Sequence, residues 1–156
     1  MKFTVSKDLR NNSVIRRLLI AFSIIMLLFL ALDVTNKSLR FGSTQTEITN
    51  SLLGNEDEFI DPLSIVSALE MVHLDLFIAI LLLLMIGSIF MRVNAKFKTP
   101  LLALTMILSI ISFASFITSL YFGGIFVLIT ITTFLIWHIS ASWMLIISII
   151  WLVKKP

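Results

Sequence analysis

Apolar residues run along this chain in four long blocks, Val14–Leu32, Leu63–Met91, Leu101–Phe122 and Ile125–Val153, with shorter polar stretches between them. A run of about 20 such residues crosses about 30 Å of hydrocarbon as a helix. Only Gly123-Gly124 and their neighbours divide the last two blocks, so a tight hairpin must join them. A single helix over Leu101–Val153 would be about 80 Å long, far too long for one crossing. The pattern predicts an all-α integral membrane protein with four transmembrane helices in an up-down bundle. The spans fall at about 14–33, 63–92, 100–122 and 125–153, in one membrane domain over 1–156.

Composition agrees. Hydrophobic residues make up 58% of the chain and charged ones 13%, where a soluble domain keeps about a quarter of its residues charged. The positions of the charges then set orientation. All but two of the 12 Lys and Arg lie on one side of the spans. Lys2, Lys7, Arg10, Arg16 and Arg17 precede the first span. Arg92, Lys96 and Lys98 join the second to the third, and Lys154 and Lys155 follow the fourth. The positive-inside rule puts that side and both termini in the cytoplasm. The expected location is the plasma (inner) membrane, with the 34–61 loop outside. Of the acids only Asp8 joins the basic side, so the pI of about 9.5 reports topology and nucleic acid is no partner. The first block ends Phe29-Leu30-Ala31-Leu32-Asp33, with a bulky Phe where a cleavable signal needs a small residue, so it is expected to stay as an anchor. The chain has no cysteine, which excludes disulfides and thiolate chemistry.

The 34–61 loop carries its own signals. Thr44-Gln45-Thr46-Glu47 is a capping-box pattern, followed by Ile48, Leu52 and Leu53 on one side and Gly54 as a stop. It predicts a short amphipathic helix on the outer membrane surface. Asn55-Glu56-Asp57-Glu58 lacks the ligand spacing of a calcium loop and is a solvated acidic turn. Asp61-Pro62 suits the start of the second span, as N-cap and first helical residue. From there to Arg92 is about 45 Å, so that helix should project beyond the hydrocarbon towards the short loop helix.

Ionisable residues within the spans are the main chemical signal, because each is costly in hydrocarbon unless paired or hydrated. With the basic residues as a ruler, Asp33 and His138 lie about 24 Å from the basic side, Asp75 about 26 Å and His73 about 29 Å. The four share a layer near the outer edge of the hydrocarbon. Helical phase divides them. Asp75 shares a stripe with Ser64, Ala68 and Ala79, small residues that favour a bundle-facing position. His73 and Glu70 share a bulky face with Val66, Leu69 and Phe77, suited to headgroups, lipid or another subunit. His138 falls in line with Val127, Ile131 and Ala141, facing inward. Asp75 and His138 are therefore expected to form a buried polar pair, and Asp33 to pair with Lys37 one turn on. Thr105, Ser109, Ser112 and Ser119 form a packing seam on the third span.

Three function classes follow. One is a small accessory or assembly subunit of a larger membrane complex, non-enzymatic, with other membrane subunits or its own copies as partners beside the lipid bilayer. Glu70, His73 and Asp33 are the candidate partner or cofactor contacts. A second is a redox module holding a b-type haem between His138 and His73, or a quinone near Asp75 and His138. The third is a proton or ion pathway through Asp75. Glu70-x-x-His73 is half of a di-iron motif that the chain does not complete, so no metal is assigned. Ser140 and Ser142 lie near His138 by spacing, but helical serines of this kind are structural far more often than nucleophilic.

Overall fold

Asn12 begins the first helix, its side-chain oxygen accepting from the backbone N–H groups of Val14 (3.1 Å) and Ile15 (3.2 Å). The computed structural model describes residues 12–93 and 96–154. It contains the helices α1 (Ser13–Phe41), α2 (Gln45–Leu53), α3 (Ile65–Phe90), α4 (Lys98–Phe122) and α5 (Gly124–Val153). All except α2 are long and apolar enough to cross a membrane. Helices satisfy their backbone groups internally, which a bilayer demands of any open segment that spans it. The chain is an all-α, four-span membrane protein. Lys2, Lys7, Asp8, Arg10 and Lys155, which enter the orientation argument, lie outside the described residues.

Two boundaries differ from the pattern-based expectation. α1 does not stop near Asp33 but continues to Phe41. Nothing in Val34–Arg40 breaks a helix; Gly42, at φ +96°, is the first residue that does. At the other end of the loop, Ser64 rather than Asp61 caps α3, accepting from Ser67 N–H at 3.1 Å. The N–H of Leu63 donates to the Leu52 carbonyl at 3.1 Å, which ties the segment before α3 to the end of α2. α3 is correspondingly shorter, about 38 Å.

α2 follows its capping box. Thr44 Oγ1 accepts from Glu47 N–H at 3.2 Å. The Glu47 carboxylate accepts from Ser43 N–H (2.7 Å) and Thr44 N–H (3.2 Å). Those backbone donors, Ser43 first, hold the Glu47 carboxyl below its usual range. Their contribution is present above the ordinary glutamate pKa and is lost as pH falls through the lowered one. α2 packs on α1, α4 and α5 and closes the end of the bundle, with Leu52 buried among Phe41, Met71 and Val127. Gly123 makes the α4–α5 hairpin possible beneath it. Its φ is +56°, and a Cβ there would lie 2.8 Å from Leu53 Cδ1. Beyond α2, Asn55 and Ile60 exchange two backbone hydrogen bonds of 2.9 Å around a turn that exposes Glu56, Asp57, Glu58 and Phe59.

α5 is the hub, touching each of the other four helices, and its closest companion is α4. The α4 seam is buried as its spacing predicts: Thr105, Ser109, Ser112 and Ser119, joined by Ser115. Small side chains let the helices approach. The hydroxyls of Thr105, Ser109 and Ser119 bond to carbonyls of their own helix at 2.7–2.8 Å, so none is left unsatisfied. Ile86, Phe90, Trp137, Met144 and Leu145 centre the main apolar core, with Met26 and Leu30 of α1 against it. α1 and α3 touch only sparsely.

Because α2 plugs the bundle through one buried leucine, Leu52→Ala is expected to cost about 2–5 kcal/mol of stability in mild detergent. Leu39→Ala, at a side chain 83% exposed, should change it by less than about 0.5 kcal/mol. Equal unfolding temperatures for the two variants would contradict this role of α2.

Candidate functional site

Asp33 and Lys37 stand four residues apart on one face of α1, and that face turns into the bundle. Asp33 meets α5: its Oδ2 lies 3.0 Å from His138 Nε2. Lys37 reaches α3, its ammonium donating to Asp75 Oδ2. His138 is buried, whereas the other three side chains keep 20–26% of their surface accessible.

His138 is held on every side. Its Nδ1 lies 2.9 Å from the Phe134 carbonyl, one turn back. The rings of Phe134 and Trp137 pack on the imidazole at centroid distances of 4.0 and 3.7 Å. These contacts fix a hydrogen count. A carbonyl only accepts, so Nδ1 carries a hydrogen; Nε2 then faces a carboxylate oxygen, and one further hydrogen must lie between them. Whichever atom holds it, the Asp33–His138 pair is neutral as a unit. Lys37 and Asp75 cancel in the same way. Four ionisable groups thus form two neutral pairs, the arrangement a low-dielectric setting tolerates best.

The partners are exchanged relative to the sequence expectation. Asp75 does face the bundle, beside buried Ala68 and Ala79, but its partner is Lys37 and not His138. Asp33 takes His138 and leaves Lys37 free to reach Asp75. α1 continues as helix past both residues to Phe41, with Asp33 and Lys37 reaching α5 and α3 from one face. An Asp33–Lys37 pair within α1 would leave Asp75 without its cation and His138 without its acid. The cross-helix pairing satisfies all four. Asp33 is thus paired within the bundle. Lys37 was expected to stay with Asp33 on α1; its reach across to Asp75 is what the sequence did not disclose.

Glu70 and His73 are exposed on the opposite face of α3, as their phase predicts, with Val66, Leu69 and Phe77 exposed beside them. His73 and His138 therefore do not face one another, and both nitrogens of His138 are already engaged. A haem between them finds no pair of free inward imidazoles. The same engagement leaves His138 no nitrogen for Ser140 or Ser142. Among the described residues no three His, Asp or Glu side chains converge as a metal site would need.

A cavity of about 160 Å³ opens beside the Lys37–Asp75 pair. All five helices contribute to its wall, mostly with apolar residues, and Gly42 and Ser43 line it too.

A family model described as a transmembrane helical domain matches residues 42–156. The chain belongs to that family, Aq_1264_TM. No curated protein and no solved structure gives a significant match. In this Aq_1264_TM member the match begins at Gly42, the residue that ends α1. Asp33 and Lys37 therefore lie outside the matched segment, and their partners His138 and Asp75 lie within it.

The hydrogen count predicts how position 33 responds to substitution. Asp33→Asn retains a donor for His138 Nε2 and should leave thermal stability in detergent nearly unchanged. Asp33→Leu strands a buried ring nitrogen and should cost about 1–3 kcal/mol. Indistinguishable Asn and Leu variants would refute the Asp33–His138 bond.

Proposed function

We propose that this membrane protein is a non-enzymatic accessory or assembly subunit of a larger membrane complex, engaging its neighbour through the outward face of α3. The observation that carries this reading is the exposure of Glu70 and His73, one turn apart, on the face of α3 turned away from the bundle. Apolar side chains alone would suit lipid. A carboxylate and an imidazole among Val66, Leu69 and Phe77 offer a neighbouring helix directional contacts at the rim of the hydrocarbon. Partner subunits of this kind bury apolar side chains and use a few polar ones to set register.

The orientation belongs to the same proposal. Arg92, Lys96, Lys98 and Lys154 lie at one end of the bundle and the acidic Glu56–Glu58 turn at the other. This distribution supports cytoplasmic termini in the plasma (inner) membrane, with α2 and the acidic turn outside. A proton pathway through Asp75 is the weaker reading, because that carboxylate is already neutralised by Lys37.

Site-specific photocrosslinking in native membranes tests the proposal. A photoreactive residue at His73 should give an adduct with a different membrane protein. The same residue at Ile110, exposed on α4, should give lipid adducts only. Lipid adducts alone at position 73, or adducts only with a second copy of this chain, would overturn the accessory-subunit reading.

A further inference from the structure

We infer that the cavity beside Lys37 and Asp75 is a binding site for a membrane-soluble amphiphile whose head is an uncharged, carbonyl-bearing ring of the quinone type. The inference concerns the inner side of α3 and is independent of the partner face carrying Glu70 and His73.

Size comes first. A space of about 160 Å³ is close to the roughly 150 Å³ apolar cavity that admits one benzene ring. Phe113, Phe116, Phe134 and Met71 line it, giving a planar ring aromatic faces and edges to pack against. Access comes second. α1 and α3, which both line the cavity, touch only sparsely, which leaves room for an attached hydrocarbon tail to pass between them into lipid.

Charge then selects the head. Lys37 and Asp75 neutralise one another, and the site lies where charge is poorly solvated. An anionic head would meet the Asp75 carboxylate and would have to displace it from Lys37, and a cationic head would meet Lys37. A neutral carbonyl disturbs neither. The ammonium has three donors and gives one to Asp75, so another can point to a carbonyl oxygen in the cavity. The ion pair would thereby be fixed as a donor for the ligand rather than broken by it. Val34 and Leu135 also line the cavity and limit how bulky the head can be.

Titration of the full-length chain in mild detergent with a short-tailed decyl-benzoquinone, followed by quenching of its tryptophans, tests the site. Saturable binding is expected. Lys37→Met should weaken it by about tenfold, the loss of one hydrogen bond from a charged donor. Val34→Phe, which narrows the cavity and leaves both charges in place, should weaken it comparably and keeps the test decisive if Lys37→Met does not fold. Neither decanoate nor a short-chain diacylglycerol should compete. Quenching without saturation would overturn the site, as would binding unaltered in a folded Val34→Phe variant. Displacement by decanoate would overturn the neutral head, and displacement by the diacylglycerol would assign the cavity to ester lipids instead of a ring.

Discussion

An ionisable side chain in hydrocarbon must be neutralised within reach, and this constraint organises the helices. Three helices supply the four groups concerned: Asp33 and Lys37 from α1, Asp75 from α3 and His138 from α5. Both pairs pass through α1. That matters because α1 is the least buried of the four spans, with 17% of its most apolar window buried inside the protein. Two neutral pairs one turn apart fix its rotation and its height against α5 and α3 together. Turning α1 by half a revolution would carry Asp33 and Lys37 towards lipid and leave Asp75 and His138 unpaired in the bundle.

Holding α1 and α3 at a distance has a consequence for the space between them. Lys37 bridges to Asp75 where the two helices otherwise barely meet, and the cavity lies alongside that bridge. Side-chain reach, rather than close helix packing, sets the separation. The α4–α5 hairpin shows the contrary case, in which Thr105, Ser109, Ser112, Ser115 and Ser119 are small enough to bring the helices close together. The family match starts at Gly42, so the clasp joins a helix before the matched segment to two helices within it.

Much of the fold was legible in the sequence because the signals are local. Apolar blocks long enough to span, a capping box at Thr44–Glu47 and a row of small residues on α4 each act through their own helix. The ends of α1 and α3 were misplaced because competing contacts settle them. α1 runs on until Gly42 permits a stop, and α3 starts from the Ser64 cap after a segment that Leu63 ties to Leu52. At the candidate site, depth and phase placed Asp75 and His138 inward and Glu70 and His73 outward. Partner choice was not legible, since it depends on which helices are neighbours. The equal depth of Asp33 and His138, about 24 Å from the basic end, was the one local hint of the pairing that forms.

The pairing itself can be read out by double-mutant cycles on the unfolding free energy in mild detergent, with alanine substitutions at Asp33, Lys37, Asp75 and His138. Contacting partners should couple by about 1 kcal/mol or more, and non-contacting ones by less than about 0.5 kcal/mol. The account predicts strong coupling for Lys37 with Asp75 and for Asp33 with His138, and weak coupling for Asp75 with His138. Strong coupling of Asp75 with His138, together with additive effects at Lys37 and Asp75, would contradict it.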